Sequence, residues 1–140
     1  MHDNLPTGLS EAERRAIEAD CARLIHKYVN LADAGRWTAV ADLYTADARF
    51  ARPSKPGEWV EGRDAILASF TARPARAQRH VVANVVVDAE SADCARAFSV
   101  ILLFTGAGLA PLIGSYTDRL VREADGWRFA ERVGALDFQP

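Results

Sequence analysis

The sequence predicts one cone-shaped α+β domain, in which helices pack in front of a curved, mostly antiparallel sheet. In the first half of the chain, apolar residues recur at three- and four-residue steps, which is the spacing of amphipathic helices. From Gln78 onward, β-branched and aromatic residues dominate four long segments separated by short turns. Helices followed by strands indicate the α+β class. The 140 residues, 49% of them hydrophobic, are expected to form a single domain over 1–140, with its core at about 10–138.

The charge and the hydropathy of the sequence argue against two classes of binding partner, nucleic acids and membranes. The formal net charge is -2, and basic residues are scattered among acidic ones, so electrostatic capture of nucleic acid is not indicated. No apolar run is long enough to cross a bilayer, and the start of the chain lacks the features of a secretory signal. We therefore expect a cytoplasmic protein with no nucleic-acid or membrane partner. Cys21 and Cys94 lack metal-ligand spacing and are expected to be buried free thiols.

Three helices are predicted before the sheet. The first begins at a capping box formed by Ser10 and Glu13, and it ends where Gly35 permits a left-handed backbone. A second, shorter helix follows from the helical spacing of four residues, Trp37, Val40, Ala41 and Tyr44. The third helix opens at Gly62 and ends near Pro74, because the residue before a proline is disfavoured in a helix.

Six strands are predicted from runs of β-branched and aromatic residues, at 48–52, 58–61, 78–88, 94–105, 112–123 and 127–136. The first two form a small hairpin across a Pro/Gly-rich turn. The last four are joined by short connections, which favour an antiparallel meander. A twisted sheet that helices cover on one face stays open at its wide end, and this predicts a pocket between the first helix and the sheet.

The first long strand has two unlike faces. By strict alternation, His80 and Asn84 lie on one face, and four apolar residues lie on the other, Val81, Ala83, Val85 and Val87. We take the mixed face to line the pocket and the apolar face to be buried in a homodimer, although alternation alone leaves the reverse assignment open. The apolar lining, suited to a hydrophobic ring system, is assigned to Val82, Val86, Phe98, Leu102 and Leu103.

Five motifs together resemble a known family. They are Tyr28-x-x-x-x-Asp33-x-Gly35-x-Trp37, Leu43-Tyr44-x-x-Asp47-Ala48, Gly62-Arg63-Asp64-Ala65-Ile66, Arg79-His80-x-x-x-Asn84 and Asp125-Gly126-Trp127-Arg128-Phe129. In order and spacing, over most of the chain, they are similar to SnoaL-like members of the nuclear transport factor 2 superfamily. The resemblance implies a cystatin-like fold and a dimer formed through the open face of the sheet. It says less about activity, because the superfamily includes dehydratases, isomerases, cyclases, dioxygenase small subunits and proteins that only bind.

By its site residues the chain is most similar to the branch that contains scytalone dehydratase, hexachlorocyclohexane dehydrochlorinase and bile acid dehydratase. The resemblance implies that Asp33, His80 and Tyr28 are catalytic. The chain departs from related enzymes at two places. Residues 102–104 are apolar where scytalone dehydratase has its second catalytic histidine, and Arg52 falls where ketosteroid isomerase carries its base.

These residue types can perform acid–base chemistry. A carboxylate in the last turn of a helix faces the carbonyl end of the helix dipole and needs a donor, which His80 would supply to Asp33. The contact would fix the imidazole tautomer, so that the far nitrogen presents a lone pair to a substrate. From the residues alone an alternative stays open, namely a solvated Asp33 and a His80 bonded to a backbone carbonyl.

The resulting hypothesis is a cofactor-independent lyase of the dehydratase type, acting on a small hydrophobic ring compound. Two alternatives remain: a non-catalytic carrier or oligomerisation module, such as a dioxygenase β subunit, and an isomerase or cyclase that uses the same pocket. Substrate contacts are assigned to Tyr44, Asn84, Phe98, Leu102, Tyr116 and Arg132. Asp118 is expected to pair with a strand arginine. No metal is expected, because His26 lacks a second ligand at helical spacing and His2 stands apart near the start.

Overall fold

The structure, a computed structural model, describes residues 7–138; His2 lies outside them. In chain order the elements are α1 Glu11–Asp33, α2 Trp37–Ala41, β1 Tyr44–Ala51, β2 Val60–Glu61, α3 Arg63–Thr71, β3 Arg79–Ala89, β4 Cys94–Phe104, β5 Leu112–Glu123 and β6 Gly126–Leu136. The strands form one open, curved sheet in the order β2-β1-β6-β5-β4-β3. β1 runs parallel to β6, and the other neighbouring strands are antiparallel. The predicted α+β class and the antiparallel meander of the last four strands are confirmed.

Across the described residues, no helix is long and apolar enough to cross a membrane.

Helix α1 begins and ends where the sequence predicts. The Ser10 hydroxyl accepts a hydrogen bond from the backbone N–H of Glu13, and the Glu13 carboxylate accepts one from the backbone N–H of Ser10. Gly35, with φ +70°, turns the chain just after the helix. The buried apolar stripe of α1 packs across β3, β4 and β6. This packing places the C-terminal end of α1, with Asp33, over the start of β3.

The second helix is shorter than predicted. Tyr44, which the spacing assigned to this helix, opens β1 instead. It pairs with Phe129 of β6, and the backbone N–H of Phe129 donates to the carbonyl oxygen of Leu43. A pairing partner more than eighty residues away overrides the local helical spacing, because backbone groups buried in a sheet must be hydrogen-bonded.

A β-bulge in β3 overturns the prediction for its two faces. Asn84 has φ +53°, and the register with β4 shifts between Ala83 and Val86. One extra residue reverses the in/out alternation beyond it. Val87 is therefore buried and Val85 packs against the core, so their assignment to the open face is wrong. Val86 is 54% exposed, which rules out its assignment to the pocket, and Asn84 itself is exposed.

Two further lining residues lie on the outer face of the sheet. Phe98 pairs with Val86 across β3 and β4, and Leu102 pairs with Val81. Phe98 and Val81 are 46% and 45% exposed. The predictions that Phe98 and Leu102 contact substrate are therefore wrong. The alternate residues of β4 point toward the helices, and among them are Ser99, Ile101 and Leu103.

A charged pair lies inside the aromatic core. Asp118 and Arg132 stand opposite each other on β5 and β6, and Arg132 Nε donates to Asp118 Oδ1 at 2.9 Å. Both side chains are 0% exposed, and the rings of Tyr28, Tyr116 and Phe129 surround the guanidinium. Burial raises the pKa of Asp118 to about 6, against the opposing effect of Arg132. The expected pairing of Asp118 is present, and it engages the arginine that the sequence assigned to substrate.

Gly134 on β6 allows the chain after β1 to lie against the sheet. A Cβ at this position would come within 2.7 Å of the backbone nitrogen of Pro53 and closer still to its ring carbons. We expect Gly134→Ala to lower the free energy of unfolding by about 1–3 kcal/mol, because overpacking forces the two segments apart. Gly57→Ala is the control, since a Cβ there meets nothing within 4 Å. Urea denaturation compares them, and equal stabilities would contradict this view of Gly134.

Candidate active site

A cavity of about 460 Å³ lies between the helical side and the inner face of the sheet. This volume falls in the range of small-molecule sites. Much of its wall is apolar and comes from Trp37, Ile101, Leu103, Leu112 and Leu136. A smaller space of about 50 Å³ continues inward to Tyr28 and Phe50, and it shares His80 and Tyr116 with the main cavity.

The His80 imidazole and the Asp33 carboxylate meet at this cavity. His80 Nδ1 lies 2.6 Å from Asp33 Oδ1, and the backbone N–H of His80 donates to Asp33 Oδ2 at 2.7 Å. The side chains of His80 and Asp33 are 12% and 4% exposed. Because Asp33 ends α1 and His80 is the second residue of β3, this double contact joins the helix end to the sheet. The structure brings the two predicted residues together.

The contact determines which imidazole nitrogen is available for chemistry. A carboxylate accepts hydrogen bonds only, so Nδ1 carries the proton in the His80–Asp33 contact. In the neutral imidazole the lone pair then belongs to Nε2, and His80 itself lines the cavity. A neutral imidazole held in this way can accept a proton from a bound molecule.

Gln78 supports the pair from the side. Its Nε2 donates to Asp33 Oδ1 at 3.3 Å, and its Oε1 accepts from Arg76 Nε at 3.0 Å. The arginine fixes which way the amide points, because only the amide oxygen can accept. Asp33 thus receives three donors, which offset its position at the carbonyl end of a helix. Sequence reasoning did not include Gln78 in the site.

The predicted tyrosines lie at different depths. Tyr116 lines the cavity and its inner extension, whereas Tyr28 lines the extension only. The hydroxyl oxygens of Tyr28 and Tyr44 are 2.7 Å apart. Tyr44 is 0% exposed and lies behind Tyr28, so its assignment to direct substrate contact is wrong. Burial raises the pKa of all three tyrosines, which keeps their hydroxyl groups neutral.

Arg132 does not reach the cavity, because Asp118 and the surrounding rings enclose it. Three other arginines line the cavity instead, Arg52, Arg73 and Arg76. Sequence reasoning missed them as site residues; two of them, Arg73 and Arg76, lie in the connection between α3 and β3, to which no functional role was assigned. The spacing of arginines just before His80, at positions 73, 76 and 79, does not identify them, because Arg79 does not line the cavity and Arg52 lies elsewhere in the sequence.

Within residues 7–138, no group of three or more His, Cys, Asp or Glu side chains is arranged to hold a metal ion. His26 is exposed on α1, on the helix that carries Asp33.

Solved structures share this fold. A candidate scytalone dehydratase from Novosphingobium aromaticivorans is 22% identical, with a TM-score of 0.75 over 86% of this chain and 83% of that one. An NTF2-like protein with a cystatin-like fold from the same species is 25% identical, with a TM-score of 0.74 over 84% and 80%. ActVI-ORFA from Streptomyces coelicolor is 25% identical, with a TM-score of 0.71 over 85% and 96%. A comparison with curated proteins found no match.

A family model agrees with these structural neighbours. It describes the SnoaL-like domain and matches residues 13–133, which include both Asp33 and His80. Together with the cystatin-like, NTF2-like fold of the neighbours, this match confirms the family that the sequence motifs indicated. The chain belongs to the SnoaL-like domain family of the NTF2-like superfamily.

Proposed function

We propose that the protein is a cofactor-independent lyase of the dehydratase type, in which His80 is the base and Asp33 orients it. The observation that carries the proposal is the 2.6 Å contact between His80 Nδ1 and Asp33 Oδ1 beside a cavity of about 460 Å³. A base needs a fixed tautomer, a lone pair facing the substrate and a site that holds the substrate still. The contact with Asp33 supports the fixed tautomer, and the position of His80 in the wall of the cavity supports access of the base to a bound substrate.

The proposed reaction is a β-elimination. His80 Nε2 takes a proton from the carbon next to a carbonyl group, and the electrons of that C–H bond form the new C=C bond. The C–O bond at the β carbon breaks, and the departing hydroxide takes the proton now held on His80 Nε2 to leave as water, which returns the imidazole to its neutral form. Asp33 stabilises the imidazolium that forms, since its oxygens already accept from Nδ1–H and from the backbone N–H of His80.

Tyr28 is proposed to stabilise the substrate oxygen that gains negative charge. It lines the inner extension that adjoins His80, and its hydroxyl contacts that of Tyr44. When Tyr44 donates to Tyr28, the Tyr28 proton is available to a ligand oxygen. Tyr116 lines both spaces and is proposed as a second contact for the same end of the substrate.

Proton abstraction can be tested before the natural substrate is known. Bicyclic and tricyclic ketones with an acidic C–H next to the carbonyl are incubated with the protein in D₂O, and NMR follows exchange of that hydrogen. Wild type is expected to exchange it faster than His80→Gln. β-Hydroxy ketones of the same ring systems are expected to lose one water, as measured by mass spectrometry.

The outcomes separate the three candidate functions. Exchange with loss of water supports the lyase, and exchange with a product of unchanged mass indicates an isomerase or cyclase. Binding of the ketones without exchange in any of them would leave the carrier function and contradict the role of His80. These readouts depend on the reaction and not on the fold.

The proposal includes a homodimer formed through the outer face of β3 and β4. This face presents partly exposed apolar residues that are contiguous by strand register, among them Val81, Val86 and Phe98. A second copy of the chain would cover such a patch in a two-fold dimer. Light scattering is expected to give twice the 15.3 kDa mass, and Phe98→Glu is expected to give a monomer. Ala68→Glu on the helical side is the control; a monomeric wild type would contradict the dimer.

A further inference from the structure

One wall of the cavity carries positive charge without a matching negative charge. Arg52, Arg73 and Arg76 all line it, and among the described residues no Asp or Glu does. Asp33 lies behind His80, where three donors already engage it. An apolar cavity with cationic groups on one wall is complementary to an apolar molecule that has one anionic end.

Arg73 is the least satisfied of the three guanidinium groups. Its Nε and Nη2 atoms are buried and have no hydrogen-bond partner, and its Cζ lies 5.2 Å from the centroid of the Phe70 ring. Two exposed arginines elsewhere in the chain, by contrast, have carboxylate partners, in the pairs Arg15–Glu11 and Arg96–Glu90. Within residues 7–138, neither Arg73 nor Arg52 has a comparable ion pair. Burial, and then the charge of Arg52, lower the pKa of Arg73, so an anion would remove an existing electrostatic cost.

We propose that the cavity selects carboxylate-bearing ring compounds, with the carboxylate held by Arg73 and Arg52 and the rings held by the apolar wall beside His80. Nε and Nη2 lie on one edge of the guanidinium, which is an edge that binds both oxygens of a carboxylate side-on. Arg76 has a different task, because its Nε already donates to Gln78. The inference rests on the proposed function only in placing the substrate; selective binding does not require catalysis.

The test compares acids with neutral molecules of the same shape. Benzoate, 2-naphthoate and anthracene-2-carboxylate are each paired with the corresponding amide, and binding to the full chain is measured by calorimetry. We expect the best acid to bind wild type at least tenfold more tightly than its amide, with a preference that weakens as salt is added. In Arg73→Met we expect the preference to fall below threefold while the affinity for the amide is kept.

Two control variants make the result specific. Arg96→Gln removes an exposed arginine near the start of β4, whereas the β4 residues that line the cavity, Ile101 and Leu103, lie near its end; it is expected to leave the preference unchanged. Arg73→Lys keeps the charge but loses the two-donor edge, and it is expected to keep only part of the preference. Equal binding of acids and amides by wild type, an unchanged preference in Arg73→Met, or no binding of any acid at millimolar concentration would each overturn the inference.

The same measurement in His80→Gln separates this inference from the proposed function. We expect this variant to keep the preference for acids while it loses proton exchange. Retained exchange in His80→Gln would contradict the lyase and leave the carboxylate site standing. If wild type bound acids no more tightly than amides but still exchanged the acidic hydrogen of the ketones, only the carboxylate site would be contradicted.

Discussion

Replacing His80 by glutamine is expected to slow turnover by about 100- to 10,000-fold, which is the usual contribution of a positioned base. Glutamine has a similar reach and can still donate to Asp33, so the contact between α1 and β3 is kept. The side chain cannot accept a proton at neutral pH, and the reaction should lose its base. The measurement is kcat for the elimination, or the rate of deuterium exchange for a ketone that is not eliminated.

His26→Gln is the matched control, because His26 is an exposed histidine of α1 outside the cavity. It is expected to keep wild-type activity. Asp33→Asn is expected to lose activity as well, since an amide can present its N–H₂ to Nδ1 and reverse the tautomer of His80. If His80→Gln turned over as fast as His26→Gln, His80 would not be the base.

Replacing Asp118 by alanine is expected to lower the free energy of unfolding by about 3–5 kcal/mol, the usual cost of leaving one member of a buried ion pair alone. Arg132 would keep its charge in a site where its side chain is 0% exposed, and its Nη1 already lacks a partner in the native protein. The rings around Arg132 attract the cation but cannot accept hydrogen bonds as a carboxylate does. Urea denaturation measures the change.

A partly exposed ion pair between β1 and β6 provides the control. Arg49 donates to Glu131 at 2.8 Å, and their side chains are 43% and 28% exposed. Glu131→Gln is expected to cost less than about 1 kcal/mol, because water already solvates both charges. The double variant Asp118→Leu with Arg132→Met is expected to recover much of the loss, since no uncompensated charge stays buried. Similar losses for Asp118→Ala and Glu131→Gln would contradict this account.

The first helix and the pairing of its last residue illustrate what a sequence can predict. The capping box at Ser10, the apolar stripe and the stop at Gly35 are local signals, and all three are present in the structure. The contact of Asp33 with His80 is a long-range feature that no local spacing contains. It was predicted from the resemblance to a family, which supplies information about contacts that periodicity cannot supply.

The faces of β3 and the polar wall of the cavity illustrate what could not be predicted. A single residue in the left-handed conformation, Asn84, reversed the alternation of inward and outward side chains along β3. Asparagine adopts this conformation more easily than most residues, but its presence in a strand does not by itself indicate a bulge. The role of Arg73 depends on where the connection after α3 lies against the cavity, which is set by tertiary packing. Arg132 was assigned to substrate because the sequence does not show which strand arginines are buried. The structure shows that Arg132 is buried and paired with Asp118.

The short connection that leads from α3 into β3 carries Arg73 and Gln78, and the proposed base His80 follows as the second residue of β3, so the three lie within eight residues. Under the two proposals, this one stretch would hold both a residue that binds the ligand and the base, while Asp33, which orients the base, comes from α1. If this connection were exchanged between related proteins, we expect the set of compounds bound to change while the sheet and the first helix keep their structure. Such a layout would let one architecture diversify its chemistry with few compensating changes elsewhere.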